Sequence, residues 1–477
     1  MPSSPADQPR QSSLLQAIIC FGGVITIIAV GLFLLGIGLH SLMFLCLIWV
    51  GLHARYLGHD YGSIRTLMGE AITRALPAIY IFILIGMVIA SFMHSGTIAT
   101  LMYFGLDWLS PSLFLGVGMV LCALMSLATG TSWGTVGTLG VVFIGIGGAM
   151  GIPLPLVAGM IVCGATFGDK MSPISDTTNL AAMSAETDLY RHIYAMLFTT
   201  VPSFGLAFIL FLVLGSSYSD SSFAAVEISN IQSALAASYS MSPLITLIPL
   251  VVLATLSIRK VPAEITMSIS VLVAVVIAIV YQGSGSVSVL NALWENSRGN
   301  TGIENLDDLL GRGGIASMSW TLILALMALA LGGILHGTGI LATLLAGIIE
   351  RIQHVAALIA TTICSGLIGN MAMGEAYISI ILNCQLFREK YDQSGLDRSI
   401  LSRSVEEGST LTTGLIPWTT AGAFYTATLG VPVLDYLPYA FFNYFNAFVS
   451  IGFAMLGIGL LRQVNSNAAS KAVPPSS

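Results

Sequence analysis

Long apolar runs separated by short polar stretches make up most of the chain. They cover residues 14–37, 40–56, 76–98, 111–129, 134–168, 193–216, 243–258, 263–282, 315–335, 353–369, 371–387, 408–430 and 436–461. The runs are continuous and do not alternate in the way of the roughly ten-residue strands of a membrane barrel. Many approach the ~20 residues that a helix needs to cross a bilayer. Helices also satisfy their own backbone groups where lipid offers no partner. The pattern therefore predicts an all-α polytopic membrane protein. A polar segment, residues 1–13, precedes the first run, and no small-residue cleavage site follows that run. It reads as a span and not as a signal peptide.

Composition supports this. Of 477 residues, 55% are apolar and 8% charged, with a mean hydropathy of +0.89, against about 25% charged in soluble domains. An ordinary cytosolic enzyme, a disulfide scaffold and a disordered chain are excluded. Net charge is −6, and no basic run exceeds two residues, so a nucleic-acid partner is not expected. The six cysteines lie in or beside apolar runs without metal-ligand spacing, and read as small hydrophobes. The 50 glycines suit close helix packing.

Charge sets the expected orientation. Arg55, Arg65 and Arg74 lie in the loop 51–75, Arg259 and Lys260 in a short joint, and Arg388, Lys390, Arg398 and Arg403 in the segment 388–403. These, with Arg462 and Lys471 of the C-terminal tail, are placed in the cytoplasm. The loops 217–242 and 283–314, the latter carrying Glu295, Glu304, Asp307 and Asp308, are placed outside. A short surface helix is expected over Asn300–Leu310.

Polar interruptions recur in the two halves. Thr129–Thr135 cuts the apolar stretch 111–150, and Gly168–Asn179 cuts 153–190. In the second half, Gly369–Glu375 cuts 353–387, and Glu406–Thr410 with Thr412–Thr420 cuts 406–430. The separation from Gly130 to Pro173 is close to that from Gly369 to Pro417. Matched interruptions are the sequence mark of a repeat-built secondary transporter with its site at broken helices. The expected organisation is a tail (1–13), a first transmembrane repeat (14–216), linking spans with an external acidic loop (217–314), a second repeat (315–462) and a tail (463–477). The halves are expected to be inverted about an axis in the membrane plane. The turn Thr129–Thr135 is expected to be the tip of a re-entrant hairpin beside the break at 172–178.

The break at 168–179 has the chemistry of a cation site. Pro173 has no amide hydrogen and Gly168 tolerates unusual backbone angles, so the helix unwinds and frees carbonyl oxygens. Ser172, Ser175, Thr177, Thr178 and Asn179 add neutral oxygens. Asp169 and Asp176 add negative charge and are the candidate ligands of a transported Na+. A small hard cation takes such donors. A carboxylate at membrane depth that holds either a proton or a cation is sufficient for antiport. No resident cofactor is needed, since Na+ is the transported or coupling ion. Thr131 and Ser132 join from the hairpin tip. Asn370, Glu375, Glu407, Ser409, Thr410, Thr412 and Thr413 are the second-half candidates. Blander roles compete: Asp176 as a helix cap, Asp169 and Lys170 as an interfacial ion pair, Lys170 as charge balance, and Glu406 as a residue facing water. Trp133 and Trp418 sit inside breaks. None of the seven histidines is assigned a role.

The run Gly168-Asp-Lys-Met-Ser-Pro-Ile-Ser-Asp-Thr-Thr-Asn-Leu180 resembles the signature of the NhaC-type sodium/proton antiporter family. Thr129–Thr135, Glu406–Thr410 and Leu415-Ile-Pro-Trp418 resemble further segments of that family in the same order, as does the acidic stretch Leu290–Gly314. The likeness spans roughly residues 15–460. It implies an inner-membrane secondary carrier of two inverted repeats with re-entrant hairpins, working as a dimer whose transport domain moves past a scaffold. Two departures stand out: Glu407 occupies a position where aspartate is expected, and Asn370–Tyr377 is unusual. The leading expectation is a Na+/H+ antiporter. The alternative is a sodium- or proton-coupled carrier or exchanger of a small carboxylate or amino acid, bound by helix N-termini near Ser172–Thr178 and Thr410–Thr413. A channel lacks a repeated filter, and a membrane enzyme lacks a catalytic constellation.

Overall fold

The computed structural model describes residues 10–218, 222–349 and 352–462. The tail 463–477 with Lys471, and residues 1–9 of the N-terminal tail, lie outside the described residues. The chain folds into helices α1 (Leu14–Leu34), α2 (Leu39–Tyr56), α3 (Tyr61–Arg74), α4 (Leu76–His94), α5 (Thr97–Trp108), α6 (Pro111–Thr129), α7 (Ser132–Ala149), α8 (Leu154–Met171), α9 (Asp176–Ser184) and α10 (Leu189–Ser216). A linking set follows: α11 (Ser222–Ser238), α12 (Pro243–Ile258), α13 (Ala263–Val280), α14 (Ser286–Ala292) and α15 (Glu304–Leu310). The second half is α16 (Ile315–Gly337), α17 (Ile340–Ile349), α18 (Val355–Met373), α19 (Ala376–Gln393), α20 (Arg398–Thr413), α21 (Thr420–Leu429), α22 (Val433–Tyr439) and α23 (Phe441–Leu456). Ten of the described helices are long and apolar enough to cross a membrane, or up to 12 if two bent pairs each count as one span. This is an all-α, multi-pass membrane protein.

Most apolar runs become helices within a few residues of their expected limits, and α15 falls inside the expected Asn300–Leu310. Several segments differ. The loop 51–75 contains α3, the loop 217–242, expected outside, contains α11, α5 and α17 lie between expected runs, and the run 134–168 divides into α7 and α8. The segment 388–403 is mostly helical, because α19 runs to Gln393 and α20 begins at Arg398. Arg403, assigned to the cytoplasm, is fully buried. Of the cysteines, Cys364 is exposed and the other five are buried.

The two halves repeat with a nearly constant shift. Gly374 lies 244 positions after Gly130 (374 − 130 = 244), and both end a helix in the left-handed conformation, at φ +70° and +66°. Only glycine adopts that conformation without strain. The same shift carries Thr131 onto Glu375, each an extended residue that caps the following helix with its own side chain. It also carries Pro173 onto Pro417, and Ser175 onto Thr419, the N-cap residues of α9 and α21. The counterpart of Gly130 is thus Gly374 and not Gly369. Packing repeats as well. A Cβ on Gly164 of α8 would lie 2.3 Å from Met119 O of α6, and one on Gly408 of α20 would lie 2.3 Å from Ile363 O of α18. Neither pair of helices approaches that closely with a larger residue. The halves then exchange their short helices: α9 packs on α19 and α20, and α21 packs on α7. This brings both breaks into one interior.

Candidate functional site

Helix α8 carries Asp169 and Lys170 in its last turn. It stops at Ser172 because Pro173 cannot continue the ladder, and α9 restarts from Ser175. Asp169 is 7% exposed and Lys170 1%. Their ion pair, at 3.3 Å, is therefore deep in the protein and not interfacial. The hairpin tip between α6 and α7 reaches it: Ser132 Oγ donates to Asp169 Oδ2 at 3.0 Å. A Cβ on Gly130 would meet the Ile174 backbone of the break at 3.0 Å. The tip and the break are in contact, as expected for a re-entrant hairpin.

Lys170 is the hinge of a larger network. Its Nζ lies 3.2 Å from Glu406 Oε1 on α20 and donates to Thr177 Oγ1, which in turn bonds Ser175 Oγ at 3.2 Å. Thr178 Oγ1 donates to the same Glu406 oxygen at 3.3 Å. The other oxygen, Oε2, stands 2.7 Å from His192 Nε2 of α10, and His192 Nδ1 is 2.7 Å from Ser402 Oγ. Glu406 and His192 are both 0% exposed. The expectation that Glu406 faces water is corrected: α20 is enclosed by α9, α10, α18, α19 and α23, so no face of that turn is open. Burying two acids and one base is tolerable only because each is paired and hydrogen-bonded. The N-terminus of α9 adds its partial positive charge beside both carboxylates.

Some of the carbonyl oxygens expected to be free at the first break are taken. Asn179 Nδ2 donates to Pro173 O at 3.0 Å and Ser175 O at 2.8 Å, and Ser172 N donates to Asp169 O at 3.2 Å. Ser172 Oγ is itself turned away, donating to Leu127 O at 2.8 Å. Thr131 caps α7 by accepting from Gly134 N. Asp176, in the first turn of α9, is exposed, and no ion pair or hydrogen bond of its carboxylate is found among the described residues. Ser175, and not Asp176, holds the N-cap position.

The second half places its candidates differently. Glu375 caps α19, accepting from Tyr377 N at 2.6 Å and Ile378 N at 3.2 Å. Asn370 donates to Ser409 O and, at 3.0 Å, to Thr412 Oγ1, and Ser409 Oγ bonds Ser379 Oγ at 3.0 Å. Thr410 turns back to Glu406 O at 2.8 Å. Asn370 Oδ1 and Thr413 Oγ1 have no partner among the described residues. Glu407 Oε1 accepts Thr199 Oγ1 at 2.6 Å, with Arg403 Nε at 3.8 Å. The second break is closed by its own side chains: Thr419 Oγ1 donates to Thr413 O and, at 2.9 Å, to Ile416 O, and Tyr436 Oη donates to Gly414 O. Trp133 stacks on Phe424, with ring centroids 4.7 Å apart, and Trp418 Nε1 donates to Met371 O at 2.9 Å. Both tryptophans therefore lock tips and breaks together.

Sequence reasoning did not single out His192, Thr199 or Arg403. The usable signal lay in the spacing. His192 and Thr199 are two turns apart on α10, and Arg403 and Glu407 are one turn apart on α20, so each helix carries these polar groups on one side.

Comparisons with known proteins agree with this architecture. The model of the Na+/H+ antiporter family matches residues 164–458, a stretch holding both breaks and the whole second half. The Na+/H+ antiporter NhaC of Alkalihalophilus pseudofirmus is 38% identical over 444 residues, 93% of this chain and 96% of that protein. The malate-2H+/Na+-lactate antiporter of Bacillus subtilis is 34% identical over 84% of each chain. The arginine/ornithine antiporter ArcD of Halobacterium salinarum is 34% identical over 91% of this chain and 90% of its own. From the match over more than half of its length and from relatives of nearly full coverage, the chain belongs to the Na+/H+ antiporter family.

Proposed function

We propose that this multi-pass protein of the bacterial inner membrane is a secondary active Na+/H+ antiporter and not an enzyme. The observation that carries this reading is the charge count of the buried cluster. Asp169 and Glu406 bring two carboxylates against the single ammonium of Lys170, so these three groups alone are one positive charge short. Uncompensated charge in a low-dielectric interior is costly. One monovalent cation restores neutrality and a second overshoots it. Na+ and H+ therefore exclude one another, which is the condition for exchange. The hydroxyls of Ser132, Thr177 and Thr178 stand beside the carboxylates and suit a hard cation. Asp176 is the acid that meets an arriving cation at the outer edge of the cluster. The reading needs no resident cofactor and takes the working unit as a homodimer. Its test is Na+-driven proton movement in vesicles free of organic solute.

A second reading is favoured by the partnerless Asn370 Oδ1 and Thr413 Oγ1 and by the two organic-ion antiporters among the relatives. In it, a small carboxylate or amino acid occupies the second-half polar group, and Na+ or H+ drives it. Flux that starts only when such a solute is added selects this reading.

A further inference from the structure

The hairpin tip that reaches Asp169 is itself held from the second half. Ser132 and Trp133 open α7, and α21, the short helix that restarts after the second break, lies against them. Phe424 of α21 stacks on Trp133, and Phe82 of α4 meets both rings edge-on, with centroids 5.5 and 5.8 Å away. The next residue, Tyr425, is 1% exposed. Its ring covers Gly414 of the second break so closely that a Cβ there would lie 2.6 Å from Cε2. The ring is therefore fixed, and its hydroxyl bonds the Ser132 hydroxyl. The direction of that bond follows from what each group can offer. A serine hydroxyl has one proton and two lone pairs, and an ionised carboxylate only accepts. Ser132 spends its proton on Asp169 Oδ2 at 3.0 Å. Tyr425 must then be the donor, which takes one lone pair of Ser132 and leaves one. With its proton and one lone pair both committed, the Ser132 hydroxyl is not free to rotate, and its last lone pair has a fixed direction beside the carboxylate.

We propose that Tyr425 is a positioning residue of the cation site: it pins the Ser132 hydroxyl so that its free lone pair faces the place where Na+ meets Asp169. The inference rests on the exchange reading above, in which Asp169 holds Na+, and adds to it a residue that never touches the ion. An oxygen held in place before the ion arrives loses no rotational freedom on binding, so affinity rises without a new contact. The repeat supports the assignment. The shift that relates the halves carries Ala181 of α9 onto Tyr425, and Ser132 onto Ala376 of α19; both alanines are buried. The hydroxyl pair thus stands at the tip beside the charged break and is missing from the equivalent place at the other, although the backbone repeats. Packing alone would be served by a phenylalanine, such as the one at 424; the phenol at 425 is explained by the bond its oxygen makes. Because α21 starts from the second break, the second half contributes to the cation site by aiming a ligand of the first.

The test is Na+ binding to the purified full-length protein, wild type beside Tyr425→Phe, Ser132→Ala and the double variant. Tyr425→Phe removes one oxygen and keeps the ring on Gly414. It is expected to weaken Na+ binding by about three- to tenfold, while maximal flux in vesicles stays within about twofold of wild type. Added to Ser132→Ala, it is expected to change Na+ affinity by less than about 1.5-fold, because the hydroxyl it acts through is gone. Wild-type affinity in Tyr425→Phe, or the same loss with and without Ser132, overturns the proposal. Should Tyr425→Phe fail to fold, the tyrosine C–O infrared band of Ser132→Ala decides. It must shift from its wild-type position, and an unchanged band overturns the proposal. Wild-type protein that binds Na+ only with a small carboxylate or amino acid present sinks the antiport reading instead; the same proteins compared in that solute then decide Tyr425 by the same criterion. Wild-type protein that binds no Na+ in either condition overturns both.

Discussion

The two breaks share one backbone and differ in their chemistry. At each, a helix ends before a proline, a hydroxyl residue stands at the N-cap position of the next short helix, and a hairpin tip with a left-handed glycine lies alongside. The repeat shift places Thr413 and Gly414 where the first half has Asp169 and Lys170. The carboxylate of the second tip, Glu375, caps α19 through its Oε2. The fold is therefore symmetric where packing decides and asymmetric where charge decides. A transporter needs pseudo-symmetry to open to either side, but one charged cluster suffices to couple its ions.

The largest effect that tests this contrast is removal of the central base. Lys170→Met leaves Asp169 and Glu406 buried without a counter-charge. It is expected to cost about 3–5 kcal/mol and to abolish exchange, read by thermal unfolding in detergent and by vesicle flux. Adding Glu406→Gln restores most of the stability but no exchange. Next comes the repeat pair itself. Asp169→Asn is expected to lower Na+-driven flux about 100-fold or more, and Thr413→Ala by less than about tenfold. Comparable losses at both positions would mean that the second break carries as much of the coupling as the first.

Packing should behave in the opposite way, equally in both halves. Gly164→Ala and Gly408→Ala each push a methyl against a backbone carbonyl. Both are expected to destabilise by a similar amount, about 1–3 kcal/mol; a cost in one half alone would break the symmetry of the fold. The smallest effect is expected at Asp176→Asn, whose carboxylate has no described partner. The melting temperature should barely change there, whereas Asp169→Asn lowers it clearly.

How much of this was legible in the sequence follows from where polarity means exposure. Apolar runs such as 111–129 matched α6 without correction, because a lipid-facing helix must be apolar along its length. The breaks were legible too, since proline and glycine act locally. Helix α20 was not. Its first turns, Arg398-Ser-Ile-Leu-Ser-Arg-Ser404, read as a polar joint, yet from Ser399 onward they are buried because five other helices surround α20 and supply partners. The same enclosure put Glu406 and Arg403 inside. Hydropathy cannot separate a charge that faces water from one that faces another charge. The roles of His192 and Thr199 depended on the packing of α10 against α20, a contact between residues more than 200 positions apart. The repeat register was also misread by pairing Gly130 with Gly369, because sequence identity between the halves is weak and the left-handed turn at Gly374 is visible only in the backbone.

In the proposed exchange, one cluster, one positive charge short, accepts either Na+ or H+. Its most direct test is Na+ binding to the purified protein across roughly pH 6 to 9, with no organic solute present. Na+ affinity is expected to weaken as pH falls, approaching about tenfold per pH unit for each proton displaced, since a proton that neutralises the cluster removes the charge Na+ needs. A Na+ affinity that does not change with pH, or binding that begins only when an amino acid or a small carboxylate is added, would contradict it.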